Sequence, residues 1–271
     1  MTDSSTATLT TISEQLKNEF LRFIQSSKAK PAQSFVVLKE FIDANLISVP
    51  QCKKIQKFIN HNGFTIFQTK KPNVNDRKRV QFNLHYPKQC GHKLFKREVQ
   101  IIREKVTKLF RLAATTRNFK IKLSMLLSLP GCQKQQFHCD NDTSSPEALI
   151  AAVNSFIAIL GVEDGTSLLY LDENNVEQSI CILPGELFIA RGTFVHAGAS
   201  YADFNFRFHF YIDWFNNKRE SDFTNFNTRG YYYDYYRVRS EHAKKVLNDR
   251  LEKKRKTKEN LENARKIKSQ K

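Results

Sequence analysis

Four residues on short stretches of this 271-residue chain carry groups that can work together: His138, Asp140, His196 and Arg207. A His and an Asp at i, i+2 lie on one face of an extended strand. A second His far downstream completes a three-ligand face on a metal. Two imidazoles and one carboxylate, with positions left open, are the ligand set that suits a non-haem ferrous ion. An Arg eleven residues after the second His has the reach to hold an anionic co-substrate beside that metal. The pattern therefore points to a reaction class before it points to a fold.

The chain around these residues must bring them together. Residues 1–11 read as a disordered leader. Ile12, Leu16, Phe20, Phe23 and Ile24 recur at helical spacing, and so do Val99, Ile102, Val106, Leu109 and Phe110. Between them, Phe35 to Asn60 continues the apolar helical pattern around Pro50. Lys70 to Lys88, poor in apolar residues, reads as a long loop bordering a site. From Phe119 the grammar changes to short β-rich runs between turn signals: Ile121–Leu129, Phe156–Leu160, Thr166–Leu171, Ser179–Leu183, Glu186–Ala190, Phe194–His196 and Asn205–Asp213. Six of the nine glycines fall between Gly131 and Gly198, mostly at the ends of these runs, as tight turns in a barrel require. Helices first and strands afterwards give an α+β protein. The expected architecture is a jelly-roll barrel buttressed by N-terminal helices, with a basic helix at the C-terminal end.

The last strand has the clearest local pattern. In Asn205-Phe206-Arg207-Phe208-His209-Phe210-Tyr211-Ile212-Asp213 every even position is apolar and every odd one polar, which fixes two faces. Phe206, Phe208, Phe210 and Ile212 are expected to pack outward against the helices. Arg207, His209 and Tyr211 then face the barrel interior. A guanidinium there is costly unless an anion meets it. That anion is either an internal Asp or Glu or a carboxylate co-substrate gripped by two prongs. His209 is either an orienting neighbour of the site or a packed barrel histidine. Cys139 sits between two ligand candidates, and strand parity turns it away from the metal.

These pieces together resemble the Fe(II)- and 2-oxoglutarate-dependent dioxygenases. The resemblance rests on Gln136-Phe137-His138-Cys139-Asp140, Gly165-Thr166-Ser167-Leu168, Pro184-Gly185-Glu186-Leu187-Phe188, Val195-His196-Ala197-Gly198 and Arg207. It covers roughly residues 119 to 215 and implies a double-stranded β-helix there. It implies His138, Asp140 and His196 as Fe(II) ligands, and Arg207 on the distal carboxylate of 2-oxoglutarate. The implied reaction consumes 2-oxoglutarate and O₂, hydroxylates a C–H bond, and releases succinate and CO₂. AlkB-type repair enzymes are similar in the triad but carry a second Arg six positions after the first, where this chain has Asp213. Prolyl hydroxylases commonly place Lys where Arg207 stands, and lysyl-hydroxylase-like members use Arg. The expected layout is a helical region with a long loop over 12–118, the oxygenase core over 119–215, an aromatic-rich extension over 216–240 and a basic tail over 241–271.

Charge bears on the substrate. The net charge is +17, and from Arg237 onward fourteen Lys or Arg face five Asp or Glu. A basic tail attracts nucleic acid or acidic protein without reading sequence, and Arg77, Lys78 and Arg79 would add to that surface. The expected substrate is a macromolecule, either a protein side chain or a nucleic-acid base. The competing function is a non-catalytic, basic nucleic-acid-binding protein on a barrel scaffold. The Tyr231–Tyr236 cluster either stacks bases or covers the barrel wall. Five cysteines without a CxxC pair argue against a disulfide framework or a zinc ribbon. With no signal-peptide pattern and no run of about 18 apolar residues, an intracellular protein, cytoplasmic or nuclear, is expected.

Overall fold

The structure, a computed structural model, describes residues 11–28, 34–47, 79–83, 96–113, 119–141 and 145–214, with positions 50, 51, 54 and 252. Two helices come first in the packing. Helix α1 (Glu14–Ser26) starts at Ser13, whose hydroxyl accepts from the Leu16 amide at 3.3 Å, removing one unsatisfied donor from the first turn. It buries Leu16, Phe20 and Phe23 at helical spacing. Helix α2 (Lys96–Ala113) buries Val99, Ile102, Val106, Leu109 and Phe110. The two meet through Phe20 and Phe110, edge to face at 5.0 Å between centroids.

Beneath the helices lies a six-stranded antiparallel sheet. Its strands are β1 (Phe35–Leu38), β2 (Arg79–Asn83), β3 (Phe119–Ser128), β4 (Phe156–Gly161), β7 (Leu187–Arg191) and β9 (Asn205–Trp214), in the order β1-β7-β4-β9-β3-β2. A second, three-stranded sheet has the order β6-β5-β8, from β5 (Ser167–Leu171), β6 (Glu177–Cys181) and β8 (His196–Gly198). Parity divides the large sheet into two faces. Leu123, Met125 and Leu127 of β3, Phe156, Ala158 and Leu160 of β4, and Phe206, Phe208, Phe210 and Ile212 of β9 pack with the helices in one core. Each of the buried Leu, Met, Ile and Phe side chains among them contributes about 1.5–3 kcal/mol. Ile157, Ile159, Phe188 and Ala190 point the other way and pack against Leu168, Ile180, Ile182 and Phe194 in a second core between the sheets. Two facing antiparallel sheets with helices on one outer face are the expected α+β jelly roll. The alternation in β9 faces as its sequence predicts.

Two expectations are corrected. The apolar run at Phe35 is a strand, not a helix: Phe35 to Leu38 pair with Ala190 to Leu187 of β7. Its Phe-Val-Val-Leu stretch suits a pleated surface, and four residues carry too little periodicity to separate the two states. The supposed loop from Lys70 contains β2, whose Arg79–Asn83 pair with Ser128–Ser124 of β3. A short helix α3 (Pro146–Val153), capped by Ser145, precedes β4. No helix among the described residues is long and apolar enough to cross a membrane. Residues 1–10 of the leader, Arg77, Lys78, the Tyr231–Tyr236 cluster and, apart from Glu252, the basic tail lie outside the described residues.

Candidate metal centre

The two histidines are neighbours through the backbone. His138 and His196 form an antiparallel bridge, exchanging both amide-to-carbonyl hydrogen bonds at 2.8 Å. Directly opposed residues share a face, so the imidazoles lie side by side, 4.7 Å between ring centroids. Asp140, two residues after His138, joins them. Its Oδ1 lies 3.5 Å from His138 Nε2 and 3.8 Å from His196 Nε2. One ligand atom from each of the three residues falls within 4.8 Å of the others. All three side chains are buried.

The other ring nitrogens are occupied. His138 Nδ1 donates to the Gln136 carbonyl at 2.7 Å, and His196 Nδ1 to the Phe194 carbonyl at 3.0 Å. Each imidazole is thereby set in the tautomer that leaves the Nε2 lone pair facing Asp140. Burial holds the His196 pKa down to about 4, against the opposing pull of Asp140. For Asp140 burial acts upward, but the His196 charge and contacts from His138 and His209 outweigh it and hold the carboxyl well below its usual range. Near neutral pH the centre therefore offers a neutral His196 and an ionised Asp140, the protonation states a metal requires. The donor set fits a divalent first-row metal. Cys139 is buried with its thiol toward the Asn141 carbonyl at 3.8 Å, on the opposite side as parity requires.

Arg207 lies on the interior face of β9 and is 4% exposed. Its Nη1 donates to Ser128 Oγ at 3.0 Å and to Asn205 Oδ1 at 3.1 Å, and its guanidinium carbon stands 5.3 Å from the centre of the Tyr201 ring. Ser128 and Asn205 face each other across β3 and β9. The signal for this pair was polar residues closing two strongly apolar strands. Arg207 and His209 share one face of β9, so guanidinium and metal-binding group line the same interior.

Arg79 does something the sequence did not announce. Far from adding to a basic surface, it is 4% exposed. Its Nη2 donates to the carbonyls of Gln133 at 2.8 Å and Ala199 at 2.6 Å. It thus ties the segment leading to His138 to the segment leaving β8. Gly198 makes room for it, since a Cβ there would stand 2.7 Å from Arg79 Nη1 and 2.4 Å from Gln135 Oε1.

The same fold occurs in solved structures of other proteins. AviO1 from Streptomyces viridochromogenes Tue57 matches with a TM-score of 0.51 and 12% identity, covering 78% of this chain and 99% of that one. The epimerase SnoN, in a structure with Fe3+, alpha ketoglutarate and nogalamycin RO, matches with a TM-score of 0.50 and 11% identity, over 72% of this chain and 83% of that one. Likeness at such low identity establishes the fold, and it bears out the resemblance drawn from the motifs at that level. No protein-family model matches the chain, and no curated protein matches its sequence.

Proposed function

We propose that this chain is an Fe(II)- and 2-oxoglutarate-dependent dioxygenase, with residues 119–215 as its catalytic core. The observation that carries this reading is the convergence of two tautomer-fixed imidazoles and an ionised carboxylate inside a jelly roll, with a buried guanidinium on the same interior. His138 Nε2, His196 Nε2 and Asp140 hold the iron. Arg207 binds the distal carboxylate of 2-oxoglutarate. With iron, 2-oxoglutarate and O₂ bound, the cofactor chemistry hydroxylates a substrate C–H bond and yields succinate and CO₂.

The chain's own groups position these components and exclude water. Gln136 and Phe194 carbonyls keep the imidazoles aimed. Ser128 and Asn205 fix the plane of the Arg207 guanidinium, so that a carboxylate arriving in the dry interior meets a preset donor edge. The Tyr201 ring packs over its face. We infer a macromolecular substrate, a protein side chain or a nucleic-acid base, reached past the open end of the barrel. The net charge of +17 supports a partner with an acidic surface.

The test is anaerobic addition of Fe(II) and then 2-oxoglutarate to the full chain. A weak visible charge-transfer band is expected in the wild type and absent in His138→Ala. A wild-type protein that gives no band and binds no 2-oxoglutarate refutes the assignment.

A further inference from the structure

The interior face of β9 carries one more titratable side chain beside the centre. His209 is 5% exposed. Its Nε2 stands 3.4 Å from Asp140 Oδ2, on the side of the carboxylate away from the two imidazoles. The ring sits edge-on to Tyr211 at 4.5 Å. Its backbone is fixed on both flanks, with Ser124 opposite on β3 and Ile159 opposite on β4, and the Ser124 hydroxyl donates to the His209 carbonyl at 3.3 Å.

Among the described residues, two buried atoms here have no hydrogen-bond partner, Asp140 Oδ2 and His209 Nδ1. At 3.4 Å the Nε2 to Oδ2 approach is long for a hydrogen bond, yet it is the placement that would complete Oδ2. The tautomer follows from cost. With the proton on Nε2, the donor faces a carboxylate oxygen and the orphan is an acceptor. With the proton on Nδ1, a buried N–H would be orphaned and two acceptors would face each other, the more expensive arrangement.

We propose that His209 is a positioning residue: its Nε2–H holds Asp140 Oδ2, so that only Oδ1 is presented to the metal. This rests on the iron assignment above and deepens it. A carboxylate free to turn can give both oxygens to a metal and use up a position that co-substrate or O₂ requires. One held by its outer oxygen gives a single ligand atom and a fixed direction. Partners of this kind typically govern metal affinity by 10–100-fold.

The experiment is Co(II) titration of the full-length apoprotein, following the visible d–d absorption, for wild type, H209F, H209Q and H138A. H209F keeps a planar ring and removes the donor; H209Q removes the ring and keeps an N–H donor of similar reach. The expected result is affinity lowered at least tenfold with an altered d–d spectrum in H209F, and affinity within about threefold of wild type in H209Q. H209F with wild-type affinity and spectrum overturns the proposal. If H209F does not fold, H209Q decides: near-wild-type binding supports the proposal, and a loss beyond tenfold in folded H209Q overturns it. Failure of the iron assignment looks different, since wild type and H138A would then bind Co(II) equally poorly.

Discussion

Replacing Arg207 with Met tests the co-substrate site without touching a metal ligand. The two side chains have similar length, and the position is almost sealed from solvent. A charge-assisted hydrogen bond contributes about 1.5–3 kcal/mol, and a carboxylate gripped by two guanidinium donors gains two of them. Removing the guanidinium should weaken 2-oxoglutarate binding by about 3–5 kcal/mol, or roughly two to four orders of magnitude in Kd. Arg207→Lys keeps the charge but loses the planar fork, and should fall between, about tenfold weaker than wild type. Stability should fall by about 1–3 kcal/mol, since the buried Ser128 Oγ and Asn205 Oδ1 lose the donor that Arg207 Nη1 gives them. The assay is thermal unfolding and calorimetric titration of the metal-loaded protein. Wild type at a 2-oxoglutarate concentration of 100 times Kd should gain about 2.7 kcal/mol, and Arg207→Met at the same concentration should gain almost none. Metal affinity should not move. Met and wild-type proteins binding 2-oxoglutarate within threefold of each other would refute the role given to Arg207.

Three further outcomes follow from the geometry. Because burial holds His196 neutral down to about pH 4, the unfolded chain, with an ordinary His near 6.5, binds more protons between those values. The metal-free fold should therefore lose stability as pH falls through that window, by about 2 kcal/mol from pH 7 to 5; urea midpoints of wild type and His196→Gln falling in parallel would contradict this. Arg79→Met, which releases the Gln133 and Ala199 carbonyls, should cost about 2–4 kcal/mol and speed amide exchange at Gln135 and Gly198; unchanged exchange there would show that Arg79 is not the tie. Gly161→Ala would bring a Cβ to 2.3 Å from the Leu183 carbonyl oxygen, and thermal unfolding should report a loss of about 3 kcal/mol; a variant as stable as wild type would disprove that close approach.

Much of the site was legible because strand parity is strict. Asn205 to Asp213 alternates without a break, so Arg207 and His209 had to share a face, and the same rule set His138 with Asp140 and turned Cys139 aside. The large helices were equally plain, since α1 and α2 each show an apolar stripe several turns long. What escaped were elements too short to own a period. Phe35–Leu38 is a strand only because β7 offers it an edge, and Arg79–Asn83 is one only because β3 does.

By itself the sequence determined which side chains could meet a metal and on which face of its strand each must lie, because alternation of faces is a property of the local backbone. Only the tertiary structure decided that they do meet. The bridge between His138 and His196 joins residues 58 positions apart, and no local pattern encodes that register. The same holds for the approach of His209 to Asp140 and for the inward turn of Arg79, a cation whose neighbours in sequence read as surface. Each depends on how the two sheets and the segment before His138 close on one another, and a contact across that closure is set by packing of the whole barrel.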